Sequence, residues 1–538
     1  MLHKYLSKIF APGIGMRILP YVCFNLAIVA NGINNGIINS IQASEQWQTF
    51  FEFPSGSTLG ILNSISILGM VLGNVIAPWT ANDRFGRRIC TAIGCCMLIL
   101  ATGLQAGAKN IGMYLAARFI LGLGSIYVHQ AAPAFLSEFA APSERTAILG
   151  LYLPNMYLGN VVIGWVCYST VTWSSNWSWQ VPSMVQAIPP LLQLALLPFV
   201  PESPRWLVVH GQTEKAREVL IKYHGQGEET EVVACTLQEI IDSVEDEKTG
   251  HRSGGWLDLV RTKDMRIRTV IAALVGIASQ WSGNGIITYY LTTVLKSAGI
   301  TSPKTQTMFT AFLNLYTYLF ATGLAPLTSL FGRRPIFMTA LISMLLIWVT
   351  FTGLSAGYIQ TGHKAMASGV LGMLFLYQTA YGAVWVTLFM FPVELFPSAL
   401  RARGLAAQNS IDYLGLFLNV YVNPMAMDAI KWKYYLVYVP VIVVQMVVVY
   451  FLFPETAGYP LEVVEQYFID HPRWFSGPKS KKLMAETAAR HGARLTELSG
   501  AAVANFHDVE TPEAPSRDES FSGEKNVTRV QTVPTLSD

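Results

Sequence analysis

Apolar stretches about as long as a bilayer is thick restrict how this chain folds more than any other feature. Windows of about 20 residues, each long enough to cross a bilayer as a helix, lie near 19–40, 57–79, 88–107, 112–136, 146–168, 181–200, 268–295, 306–328, 334–355, 366–391, 403–424 and 434–453. In hydrocarbon every backbone N–H and C=O must find a partner within the protein, so such runs predict helices and not open strands. Twelve of them predict an all-α membrane protein embedded in a lipid bilayer. Composition agrees: of 538 residues only 13% are charged, against about 25% in a typical soluble chain.

The same composition excludes several function classes. A net charge of +3 gives nucleic acid no electrostatic footprint. The six Cys (Cys23, Cys90, Cys95, Cys96, Cys167 and Cys235) show no CxxC pair and no metal-ligand spacing, and read as small hydrophobes. The nine His are dispersed, and no nucleophile–base set stands out. No catalytic residue, metal ligand or cofactor motif is expected, and the chain reads as a non-enzyme. The N-terminal "MLHKYLSKIFAPGIGMR" lacks the compact apolar core of a cleavable signal.

Lys and Arg concentrate in alternate connections, which sets an expected orientation. One side carries "DRFGRR" (83–88), Arg145, the 201–266 stretch, "FGRR" (331–334), Arg401 and Arg403; the other is poorer in both. An even number of spans puts both termini in the cytoplasm and leaves Asn176, in an "NWS" sequon, outside. The expected organisation is a cytoplasmic N-terminus (1–18), a six-helix half (19–200), a cytoplasmic linker with short helices (201–266), a second half (267–453), and a partly disordered cytoplasmic tail (454–538).

The halves repeat. "DRFGRR" at 83–88 returns as "SLFGRR" at 329–334, "EFAAPSER" at 138–145 as "ELFPSALR" at 394–401, and "PES" at 201–203 as "PET" at 454–456. Acids and prolines repeat along with the arginines, which orientation signals alone do not require. A parallel duplication places a site between the halves, near the midplane, that opens alternately to each side.

With "ARFILGLG" (117–124) and "PESPRWL" (201–207), these motifs resemble the sugar porter family of the major facilitator superfamily, over about residues 20–470. "PSGSTLG" (54–60), "QWSGNGIITYYL" (280–291) and "NVYVNPMAMDAIKWKYYLVY" (419–438) are similar to the fungal lactose permease-like and hexose transporter branch. The resemblance implies a plasma-membrane sugar transporter, monomeric, working by alternating access as a uniporter for a hexose or disaccharide. The alternatives are a proton-coupled symporter using Asp412, a non-transporting sugar sensor, and, as runner-up substrates, polyols or quinate-like acids.

A sugar offers hydroxyls and an apolar face, so its site needs amides, which donate and accept, and aromatic rings. By resemblance the candidates are Gln280, Asn284 and Asn314, with Asn160 where the family has Gln, and Phe389 where it has Trp. Ser279 replaces the first of two family glutamines. Tyr289 and Tyr290 resemble the pair that closes over the sugar. A lone membrane amide is more often a helix–helix bond, averaging about 0.6 kcal/mol; a set in this motif context favours binding. "NGINNGIINS" (31–40) adds four amides at the end of the first apolar run. Among them Asn34 stands where proton-coupled relatives carry an Asp paired with an Arg; that Arg is here Arg118, inside the fourth span. An amide takes up no proton near neutral pH, which favours facilitated diffusion. Asp412, inside the eleventh span, is the competing coupling candidate. The expected cytoplasmic gate comprises Asp83, Arg84, Arg87, Arg88, Glu138, Arg145, Glu202 and Arg205 in one half, and Arg333, Arg334, Glu394, Arg401 and Glu455 in the other.

Overall fold

The computed structural model describes residues 14–77, 84–248, 255–324, 331–397, 400–474 and 477–490. Among these residues there is no strand. Nine stretches are long and apolar enough to cross a membrane. One of them, Arg403–Leu452, contains two helices, and two further long helices, Pro303–Leu324 and Lys364–Leu395, bring the total to twelve. In chain order they are α1 (Ile14–Ile41), α2 (Gly56–Ala77), α3 (Arg87–Ala106), α4 (Ile111–Phe139), α5 (Ala147–Thr170), α6 (Trp177–Phe199), α7 (Lys263–Ser297), α8 (Pro303–Leu324), α9 (Arg333–Thr361), α10 (Lys364–Leu395), α11 (Arg401–Ile430) and α12 (Tyr438–Leu452).

Lipid tails are as apolar as Leu, so helices in a bilayer associate through close packing more than through apolar burial. The seam of α1 and α5 shows how. A Cβ on Gly32 would lie 1.9 Å from the Met156 carbonyl oxygen, and one on Gly159 would lie 2.2 Å from that of Val29. The amide-rich stretch 31–40 is helix, and its Gly32 sets a close approach. Within the first half, α4 packs against α2 and α3; within the second, α9 packs against α10 and α12. The two halves meet along α2–α11 and α5–α8.

At the end far from the arginine motifs the halves are bonded across the cleft. Gln42 Nε2 donates to the Tyr289 carbonyl (3.3 Å), the Thr292 amide to Asn39 Oδ1 (3.2 Å), and the Gly56 amide to Asp428 Oδ2 (2.7 Å). At the motif end, Arg17 and Glu144 form a buried ion pair (2.6 Å); Arg17 also donates to the Tyr223 carbonyl (2.9 Å) and the Tyr21 hydroxyl to Glu144 (3.1 Å). This anchors the start of α1 to the linker, whose short helices include Pro204–Val209, Thr213–Tyr223 and Glu231–Lys248. Arg268, at the start of α7, donates in the corresponding way to the carbonyls of Leu395 (3.1 Å) and Glu465 (2.9 Å). After α12, the helix Leu461–Asp470 follows, and Ser480, Met484 and Thr487 are buried. The expected disorder of the tail's end falls on residues 491–538, outside the described residues.

Candidate substrate-binding cavity

The site is organised by an interruption in α7. Helix runs from Lys263 to Gln280, stops at Trp281, and restarts at Asn284. Gly283 between them has φ +98°, which favours glycine. A Cβ there would also lie 2.3 Å from the Trp348 ring. Interrupting a helix frees backbone carbonyls, and in a membrane these need partners. Trp348 Nε1 (3.0 Å) and the Tyr377 hydroxyl (3.1 Å) donate to the Ser282 carbonyl, the Tyr381 hydroxyl to that of Ser279 (3.2 Å), and Asn419 Nδ2 to that of Gln280. The gap is thus held by rings of α9 and α10 and an amide of α11. It leaves Gln280 and Asn284 at two half-helix ends facing the interior.

A cavity of about 1430 Å³, part of it open solvent, lies there between the halves. Of the candidates, Gln280, Asn284, Asn314, Asn160, Tyr289 and Asp412 all line it. Gln280 Nε2 donates to Asp412 Oδ1 (3.0 Å), and the Ser279 hydroxyl donates to the same oxygen. Asn314 Nδ2 donates to the Asn160 carbonyl (3.2 Å), which joins α8 to α5 across the halves. Asn284 Oδ1 accepts from the Thr288 hydroxyl (3.0 Å). No cation pairs with Asp412 among the described residues.

Other candidates sit elsewhere. Asn34 is buried beside the cavity without lining it; its Nδ2 donates to Ser125 Oγ (3.4 Å) and its Oδ1 has no hydrogen-bond partner. It makes no hydrogen bond to Arg118. Arg118 is fully buried, its Nε and Nη1 have no hydrogen-bond partner, and its guanidinium lies 5.8 Å from the Tyr114 ring centroid. Tyr290 turns away, donating its hydroxyl to the Val420 carbonyl (2.6 Å). Phe389 lies on α10, and its side chain is outside the described residues, as is Asp83.

The lining also includes residues that the resemblance did not supply: Asn31, Asn35 and Asn39 on α1, His129 on α4, Gln378 on α10 and Asn409 on α11. The first three could have been read from spacing, because residues four apart share a helix face.

The arginine motifs form two networks of one design. In the first half, Arg87 forms a two-point pair with Glu138 (2.8 and 3.1 Å), and Ser203 Oγ donates to Glu138 (2.5 Å). Glu202 accepts the amides of Arg87 (3.0 Å), Arg88 (3.2 Å) and Ser203 (2.9 Å), so it caps the start of α3, where anions are favoured. Burial holds the Glu202 carboxyl above its ordinary range, and these amides pull it back. In the second half, Arg333 pairs with Glu394 (2.8 Å), Thr456 Oγ1 donates to Glu394 (2.5 Å), and Glu455 caps α9 through the amides of Arg333 (2.8 Å) and Arg334 (3.2 Å). Arg145 and Arg401 bond the loop carbonyls of Ala140 (3.5 Å) and Phe396 (3.4 Å), outside the acid pairs. Arg334 donates to the Tyr450 carbonyl (2.7 Å) and Arg205 to Ser243 Oγ (3.3 Å); Arg84 is exposed.

Several known proteins are similar to this chain over most of its length. "MFS-type transporter criB" of Aspergillus cristatus is 26% identical over 441 residues, covering 82% of this chain and 90% of that protein. A high-affinity glucose transporter of Kluyveromyces lactis is 25% identical over 463 residues, covering 82% and 83%. The inward-open structure of the xylose transporter XylE from E. coli matches with a TM-score of 0.68 at 21% identity, over 83% of this chain and 98% of that one; at that identity the likeness speaks for the fold. A model of the Sugar (and other) transporter family matches residues 21–468. The chain therefore belongs to that family, as a multi-pass membrane protein of twelve helices in two six-helix halves, the major facilitator superfamily fold.

Proposed function

We propose that this protein carries a hexose or disaccharide across the plasma membrane by alternating access, as a facilitated-diffusion carrier acting as a monomer. The observation that carries the reading is the cavity wall. Amides from both halves, Asn31, Asn35 and Asn160 on one side and Gln280, Asn284 and Asn314 on the other, meet at the interruption of α7. Neutral donors and acceptors at this depth suit a hydroxylated, uncharged ligand, and a charged wall would cost more. Tyr289 serves as its aromatic neighbour, and Phe389 is the second aromatic candidate by resemblance.

In this reading the arginine networks face the cytoplasm with both termini, the residues 19–200 and 267–453 form the moving halves, and 201–266 links them. The bonds of Gln42, Asn39 and Asp428 across the far end break when the cavity opens outward. An uptake panel of radiolabelled glucose, xylose, lactose and cellobiose, in a strain lacking its own carriers, tests the proposal. We expect saturable uptake of at least one sugar; binding without uptake of any would support a sensor instead.

One observation favours a second reading, proton symport. Asp412 is an acid in the cavity wall, bonded to Gln280 and Ser279 and paired with no cation among the described residues. Facilitated diffusion predicts no pH change when sugar is added to weakly buffered expressing cells. Sustained external alkalinisation that disappears in Asp412→Asn would replace the uniport reading with symport at that residue.

A further inference from the structure

The described residues that line the central cavity include no Lys, Arg or Glu. Two of them can carry a charge near neutral pH, Asp412 on α11 and His129 on α4. No ion pair joins the two among the described residues; the His129 ring makes a T-shaped contact with Tyr152, 6.4 Å between centroids. Both donors that reach Asp412, Ser279 Oγ and Gln280 Nε2, meet the same oxygen, Oδ1. Its Oδ2 accepts no hydrogen bond among the described residues, and the residue lines the cavity.

A carboxylate at membrane depth is costly unless a cation compensates it. Two neutral donors on one oxygen satisfy half of its hydrogen-bonding capacity and none of its charge. A ligand held by Gln280 and Asn284 at the α7 interruption lies beside the other half, because Gln280 is bonded to Asp412. A sugar hydroxyl there offers one neutral donor. An ammonium offers three donors and the missing charge, and its bond to a carboxylate is charged on both sides. Asn409, three residues earlier on α11 and in the same wall, supplies a second acceptor for it.

We infer that the site prefers amino sugars, hexoses in which an ammonium replaces one hydroxyl, and that this ammonium docks on Asp412. The neutral amides of the wall hold the remaining hydroxyls. The inference rests on the sugar-carrier reading for the hexose and on the open Asp412 carboxylate for the amine.

The test sets three amino sugars, 2-amino-2-deoxyglucose, 3-amino-3-deoxyglucose and 6-amino-6-deoxyglucose, against unlabelled glucose as competitors of radiolabelled glucose uptake at neutral pH. In wild type at least one of them competes about tenfold better than glucose, the scale on which a charge-assisted bond exceeds a neutral one. That ratio falls to about one or below in Asp412→Asn and is retained in Asp412→Glu. A transport-independent arm measures thermal unfolding of the purified proteins with each sugar. The preferred amino sugar raises the wild-type Tm more than glucose does, the excess is absent in Asp412→Asn, and ammonium chloride at the same concentration does not reproduce it. Two results overturn the inference: no amino sugar ahead of glucose in wild type, as a protonated Asp412 would give, or a preference that survives in Asp412→Asn. The first needs no variant, so it decides even where Asp412→Asn fails to fold. If wild type takes up no glucose, the carrier reading fails for that sugar, and the unfolding arm still decides the amine preference.

Discussion

At the residue scale, the contrast between Asn34 and its neighbours shows what a motif alignment carries and what it omits. The alignment singles out Asn34 because relatives have an acid there. In the structure Asn31, Asn35 and Asn39 line the cavity, while Asn34 faces Ser125. The cause is helical phase: one residue turns a side chain by about 100°, and the amides four apart share the inner face. Gly283 is the opposite case, since nothing in "WSGNG" states that a Trp sixty-odd residues away closes over it. It combines φ +98° with a Cβ position 2.3 Å from the Trp348 ring, and that ring is held by its bond to the Ser282 carbonyl. Gly283→Ala therefore adds backbone strain and a clash with a group that has little room to yield. We predict a loss of about 1–3 kcal/mol of stability and a marked fall in uptake. An unfolding midpoint equal to wild type would show that the interruption tolerates a side chain.

At the element scale, the apolar pattern gave twelve spans, but it could not reveal the break in α7 or the reach of α1. Hydropathy averages over a window, so "SQWSGNGIITYYL" reads as continuous although Trp281 and Gly283 end one helix and start the next. Likewise α1 begins at Ile14, earlier than the apolar run, because Arg17 finds its partner at Glu144 and is buried at the end of the span. Charge patterning drew the sequence reading to Arg145 next door, which bonds a loop carbonyl. Removing one partner of a buried pair leaves the other uncompensated. Glu144→Ala is predicted to destabilise by about 3–5 kcal/mol, and Arg17→Met/Glu144→Leu to recover much of that. Thermal unfolding in nanodiscs measures both. A single variant that melts with the wild type would mean that the pair holds α1 to the linker only loosely.

At the scale of the whole molecule, the duplication was legible in three short motif pairs, and the structure supplies the chemistry that they share. In each half an acid after the last helix caps the third helix of that half, and an arginine two-point pair ties that helix to the fourth. Among the described residues the match breaks at Glu455, whose amide donates to Ser480 Oγ (3.1 Å), so the start of the tail is built into the second network. These pairs are largely buried, at 12% and 13% exposure in the first half and 12% and 18% in the second, where charge-assisted bonds are worth about 1.5–3 kcal/mol. Networks that hold helix ends in register bias the equilibrium between cavity orientations, and equal networks should bias it equally. We therefore predict that Glu138→Gln and Glu394→Gln slow uptake by similar factors, about tenfold for each 1.4 kcal/mol of lost bias. Arg87→Lys and Arg333→Lys should do nearly as much harm, because an ammonium cannot reproduce the two-point contact. The measurement is initial uptake rate at matched surface expression, with unfolding midpoints as a control for folding. If one substitution abolishes uptake while its counterpart leaves the wild-type rate, the two networks differ in role, and the half whose variant fails carries the gate.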